Sequence, residues 1–174
     1  RDDVESRGLG DVYKRQLFVS GCTHHCKGCF NSVAWDFQYG QAYTLETEQE
    51  ILQALAPDYI RGLSLLGGEP MEPQNRATVL SLVKKVREIY PRKTIWCYTG
   101  YDFEKDVLDK MYYQWDFTHK FLSYLDVLVD GEFVEEKKVL DLRFRGSTNQ
   151  RILDVPKSLI AKKAVLWDEK GRYF

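Results

Sequence analysis

An α/β domain built on parallel strands is what this sequence predicts, from three observations. Short apolar runs rich in β-formers alternate with amphipathic helical stretches. Each run ends in a loop of glycine, cysteine or acidic residues, as parallel sheets place their binding loops. The chain has 174 residues at 44% hydrophobic content, enough to bury one compact core without disulfide staples.

The first apolar strand is Leu17-Phe18-Val19, and the cysteine segment leaves it at its C-terminal end. Thr47 and Glu50 have capping-box spacing ahead of Ile51, Leu52 and Leu55, and Pro57 stops that helix. Leu63 to Leu66 form a second strand that closes in Gly67-Gly68-Glu69-Pro70. Gln74 to Tyr90 then read as a helix, with Val79, Leu82, Val83, Val86, Ile89 and Tyr90 on one face. Thr94 to Tyr98 form a third strand ending at Thr99-Gly100, and Asp102 caps a helix through Leu108. Leu125 to Val129 make a fourth, ending at Asp130-Gly131. Further on, Leu142 to Arg145 and Arg151 to Leu153 read as extended around a Gly146-Ser147-Thr148-Asn149 turn. The cysteines, the diglycine and the Thr99 and Asp130 turns all fall at strand C-termini, so one shared site is expected.

Twenty-five basic residues against twenty-six acidic give a formal charge of −1, so no global field is available to hold nucleic acid or an anionic membrane. No run is long enough for a membrane span and no secretory leader is readable, which makes the cytoplasm the expected compartment.

Three of the four cysteines, Cys22, Cys26 and Cys29, lie within one short loop. Neighbours this close compete for each other's disulfide partners, and in a reducing compartment such a group signals metal. Thiolates favour iron–sulfur clusters or zinc, and a cubane cluster ordinarily takes four. The fourth cysteine, Cys97, sits in an apolar β pattern and reads as a small buried hydrophobe. A [4Fe–4S] cluster on three cysteines keeps one iron open, and the amino group and carboxylate of S-adenosylmethionine suit that iron as a chelate. Zinc is the competing reading, with His24 or His25 completing a Cys3His set, although both lie in a three-residue gap where closure is strained. The diglycine weighs toward the cluster, because it lets backbone approach a ligand closely.

Together, the Cys-x3-Cys-x2-Cys loop and Gly67-Gly68-Glu69-Pro70 resemble the radical S-adenosylmethionine superfamily. More narrowly, Leu17 to Cys22, Cys26 to Asn31, Trp96 to Tyr101, Val127 to Gly131 and Phe144-Arg145-Gly146-Ser147-Thr148-Asn149-Gln150 resemble the activating proteins of anaerobic ribonucleoside-triphosphate reductase. The resemblance runs from about Leu17 to Val155. It implies an incomplete parallel (β/α) barrel in a single domain, open enough to admit a peptide loop. It also implies an oxidoreductase that cleaves S-adenosylmethionine and generates a glycyl radical on the class III reductase. A low-potential flavodoxin or ferredoxin would supply the electron. Activases of other glycyl-radical enzymes, such as pyruvate formate-lyase, are the nearest alternative; they are usually longer and the Arg145 to Gln150 segment argues against them.

By the same resemblance, Gly28, Cys29 and Phe30 line the cofactor pocket, Gly68 with Gly67 and Glu69 receives the methionyl amino group, and Thr99 and Asp130 bind the rest of the cofactor. Arg143, Arg145 and Arg151 are candidates to dock the partner, or else a solvated basic edge. Family members begin with a strand and a glycine-containing turn that Arg1 to Gln16 do not match. Residues 1–16 are therefore expected to be non-native or disordered, 17–155 to form the radical domain, and 156–174 a C-terminal extension.

Overall fold

A computed structural model describes residues 13–168. Five strands form one sheet in chain order: β1 (Lys14–Val19), β2 (Gly62–Gly67), β3 (Thr94–Tyr98), β4 (Val127–Asp130) and β5 (Arg151–Asp154). β1 to β4 are parallel, with Leu17 beside Leu65 and Leu65 beside Cys97. Lys14, Arg15 and Gln16, expected to precede the fold, pair with Gly62, Leu63 and Ser64 in β1. The rest of the expected non-native segment lies outside the described residues, apart from Tyr13, whose carbonyl accepts from Arg61.

The fifth strand corrects the all-parallel expectation, since β5 runs antiparallel to β4 with Val129 beside Ile152. The reason lies in the connection. Between Gly131 and Gln150 the only helical piece is a 3-10 turn over Glu135–Lys137, and a parallel return needs a crossover that spans the sheet.

Sequential parallel strands with right-handed crossovers put the connecting helices on one face. α1 (Leu45–Ala54), α2 (Arg76–Ile89) and α4 (Asp116–Tyr124) accordingly share a core with Leu63, Leu65, Ile95, Cys97 and Leu128. α2 contributes Val79, Leu82, Val83 and Val86, all buried, each worth about 1.5–3 kcal/mol in removal from water. Cys97 is fully buried in this core. α1 starts three residues earlier than the spacing suggests: Thr44 is the cap, and the box is closed by Thr47, whose hydroxyl accepts from the Thr44 amide. Asp102 caps as expected, accepting from the Lys105 amide, but the helix it opens is a π-helix over Phe103–Met111 that continues into the short α3 (Tyr112–Gln114). α5 (Val155–Ala161) follows β5 directly, capped by Asp154.

Among the described residues, no α-helix packs on the opposite face of the sheet. There Trp96, Val127 and Val129 pack with Phe144, flanked by Tyr98, Ile152 and Trp167, and the buried Lys14 ammonium stands 3.4 Å from the Trp96 ring centre. Leu142 to Arg145 form no strand; Phe144 is held in this cluster at a positive φ of 62°.

Candidate metal centre

The cysteine loop is assembled on the loop that follows β2. Gly21, at φ 97°, donates its amide to Ala34, and the Glu69 amide donates back to the Gly21 carbonyl at 2.8 Å. Asn75 spans both segments, its Nδ2 donating to the carbonyls of Ser20 and Glu69. Two buried carboxylates then reach into the gap between Cys22 and Cys26. Glu72 Oε1 accepts from the amide and hydroxyl of Thr23 at 2.7 and 2.6 Å, and Glu69 Oε1 lies 2.9 Å from His24 Nε2.

Cys22, Cys26 and Cys29 are free thiols, each partly exposed. Burial pushes the Cys22 thiol up to about 11, the neighbouring Glu69 and Cys26 adding to the rise against backbone amides that oppose it. Cys26 is likewise raised, first by burial, which the Phe133 amide opposes and the charges of Glu132 and Cys29 reinforce. Thiols this close to one another and to carboxylates resist ionising alone. A polynuclear cation removes that obstacle by compensating all three thiolates, which is the chemistry a cluster brings to such a donor set.

His24 does not stand free as a fourth ligand. Both His24 nitrogens face carboxylates, Glu69 on one side and Glu132 on the other at 3.1 Å, and His25 stacks on Trp35 at 4.5 Å. Burial alone would lower the His24 pKa, but its bonds to Glu69 and Glu132 raise it above the usual value.

Most of the sequence-expected residues meet at a cleft of about 540 Å³ on the helix-free side, but Cys26 and Cys29, the latter expected in its wall, are not among its lining. Cys22, Gly28, Phe30, Gly67, Gly68, Glu69 and Thr99 line it, over a floor of Phe18, Leu66, Tyr98 and Val129. The diglycine is required by crowding. A Cβ on Gly67, which sits at φ 109°, would stand 2.6 Å from the Val19 carbonyl oxygen, and one on Gly68 would stand 2.5 Å from that of Gly21.

Glu69 is 1% exposed and its carboxylate is already engaged: Thr99 Oγ1, the Gly100 amide and His24 meet Oε1, and the Met71 amide donates to Oε2. Asp130 does not line the cleft. Val127 and Val129 face the helix-free side, so alternation turns Asp130 the other way, where it accepts from the Phe103 amide and from Arg151. Arg151 also binds Glu104 and approaches Asp102, which makes it an internal ion-pair centre. Arg145 lines the cleft and donates to the Gln150 carbonyl, and the Arg143 guanidinium lies 5.0 Å from the Phe144 ring centre.

Sequence reasoning missed Thr23 and Glu72 as parts of the site, and weighed His24 only as a zinc ligand. The available signal was polar residues filling a gap between ligands, with glutamates three apart after the diglycine. It also missed Val139 and Leu140, at 43% and 87% exposure, which stand at the cleft rim with Phe30 at 81%. The Arg145 to Gln150 segment builds that rim: Gln150 accepts from the Gly146 and Ser147 amides and donates to the Gly131 carbonyl, while Asn149 donates to that of Glu132.

The chain matches the model of the 4Fe-4S single cluster domain over residues 7–153. It is similar to anaerobic ribonucleoside-triphosphate reductase-activating proteins. That of Vibrio cholerae is 46% identical over 78% of this chain and 84% of its own length. That of Enterobacteria phage T4 is 40% identical over 78% and 80%, and that of Haemophilus influenzae 42% identical over 82% and 88%. No solved structure gives a significant match. Among the described residues no helix is long and apolar enough to cross a membrane. A three-thiol loop set on a diglycine turn, together with these relatives along most of its length, shows that the chain belongs to the anaerobic ribonucleoside-triphosphate reductase-activating protein family.

Proposed function

We propose that this chain cleaves S-adenosylmethionine reductively at a [4Fe–4S] cluster held by Cys22, Cys26 and Cys29, and thereby forms a glycyl radical on an anaerobic ribonucleoside-triphosphate reductase. The observation that carries this reading is the donor set: three free thiols in one loop at the edge of the cleft, His24 held between Glu69 and Glu132, and Cys97 in the core. Cys22, Cys26 and Cys29 would hold the cluster, which when bound and reduced by an external donor would supply the one electron for breaking the carbon–sulfur bond of S-adenosylmethionine, with methionine and, after hydrogen transfer from the partner's glycine, 5′-deoxyadenosine as products.

The chain's own residues bind, orient and exclude water. The Gly67 and Gly68 backbone lies bare at the cleft wall and suits the methionyl amino group. The apolar floor of Phe18, Leu66, Tyr98 and Val129 keeps water from a reactive radical. Gly28, Phe30 and Thr99 complete the cofactor's surroundings. The helix-free sheet face is then the lumen of an incomplete barrel, with residues 17–155 as the working unit and 156–174 as an extension. The exposed Phe30, Val139 and Leu140 give a partner's glycine segment an apolar lip to meet. A cytoplasmic flavodoxin or ferredoxin of low potential fits as electron donor.

The test is anaerobic reconstitution with iron and sulfide, reduction in the presence of S-adenosylmethionine, and assay of 5′-deoxyadenosine, for the parent and for Cys26→Ala. Product from the parent and none from Cys26→Ala is expected. Zinc in place of iron, or a fully loaded parent without product, overturns the reading.

A further inference from the structure

We propose that His24 is a positioning residue for the cofactor cleft, acting by locking the Glu69 carboxylate as a strut between loops, so that Glu69 shapes the cleft and is no direct ligand of the cofactor. This rests on the function proposed above and assigns the role of one side chain within it.

A carboxylate has about four acceptor sites. Four groups already surround that of Glu69, from three segments: His24 of the cysteine loop at 2.9 Å, Thr99 and Gly100 of the β3 loop at 2.7 and 2.8 Å, and Met71 of its own turn at 2.9 Å. At 1% exposure little of it remains for an incoming ammonium, whereas the neighbouring glycines present bare backbone.

His24 is the member that joins this strut to the rest of the rim. Its other nitrogen lies 3.1 Å from Glu132 on the β4–β5 connection, and its ring meets Tyr101 edge-on at 4.5 Å. Gly100 is shaped around it: a Cβ there would stand 2.7 Å from the ring. One side chain in the gap between two metal ligands thus fixes where the β2, β3 and β4 ends stand relative to the thiols.

The variants His24→Ala, His24→Gln, His24→Asn and Gly100→Ala separate positioning from bulk structure. A glutamine amide extends to about the position of Nε2 and restores the bond to Glu69; asparagine extends only to about that of Nδ1. In metal-free protein, hydrogen exchange of the Gly100 amide is expected to quicken in His24→Ala and return toward parental in His24→Gln. In reconstituted protein, His24→Ala, His24→Asn and Gly100→Ala are expected to raise the KM for S-adenosylmethionine about tenfold, the usual size for a lost charge-assisted bond. Iron content and kcat stay near parental, and His24→Gln recovers the KM to within about threefold. A parental KM in His24→Ala, or equal loss of iron in the alanine and glutamine variants, overturns the inference alone. A parent that makes no 5′-deoxyadenosine overturns the underlying function as well.

Discussion

Buried acid is handled differently at the C-terminal ends of β2 and β4. At the β2 end, Glu69 and Glu72 are met by amides, hydroxyls and an imidazole drawn from the cysteine loop and the β3 loop. At the β4 end, Asp130 accepts one amide, that of Phe103, and is otherwise met by a guanidinium, Arg151, which Glu104 shares and Asp102 approaches. The second arrangement is a closed ion cluster on the helix side of the sheet, and Asp102, Glu104 and Asp130 stand close enough to hold a cation because Arg151 already is one. The first is directional, with each donor fixing one loop at one distance. Ion pairing tolerates displacement more than hydrogen bonds from neutral donors do, so the β2 end, where such bonds predominate, is the one suited to setting cleft geometry.

Arg151→Ala tests that contrast with the largest expected effect on stability. It leaves Asp130, 1% exposed, without its cation, which costs about 3 kcal/mol. Chemical unfolding of metal-free protein reads the loss, and the KM for S-adenosylmethionine in the folded fraction is expected to stay parental. A raised KM there would break the separation of the two ends.

Acid titration sharpens the same point. Burial would raise the Glu104 carboxyl, but its bonds to Arg151 and to the Ala164 amide hold it below its ordinary 4.5. A depressed carboxylate stabilises above its unfolded pKa, and that contribution disappears as pH falls through the folded value. Glu104→Gln is therefore expected to cost about 1 kcal/mol at neutral pH and to flatten the stability loss below pH 4.5, measured by unfolding midpoints across pH.

The smallest effect on the fold is expected at the rim. Leu140, at 87% exposure, contributes little to the core, so Leu140→Asp shifts stability by less than about 0.5 kcal/mol. It leaves 5′-deoxyadenosine formation without partner unchanged and lowers glycyl radical yield on the reductase, read by electron paramagnetic resonance. An unchanged yield would remove the lip from the docking surface.

Much of the scaffold was legible. The β2 and β3 strands stand almost where their apolar runs put them, because β-branched and aliphatic residues bounded by turn residues leave little alternative. β4 lies two residues later at its start, since Leu125 and Asp126 complete the turn out of α4. α4 itself went unread: its aromatic residues form a helical face, but no side chain caps its start. The three thiols and the diglycine were legible for a different reason, as their chemistry is local to a few consecutive residues.

What the sequence by itself determined is therefore which groups can bind: the thiols, the bare glycines, and strand ends that gather them. The tertiary structure alone decided that β5 returns antiparallel, that Asp130 turns from the cleft, and that Glu69 is occupied by His24, Thr99 and Gly100. Strand parity sends neighbouring residues to opposite faces, and these hydrogen bonds join residues dozens of positions apart in the chain. Their partners are set by register and by which loops share a sheet edge, and neither is written in any local run of residues.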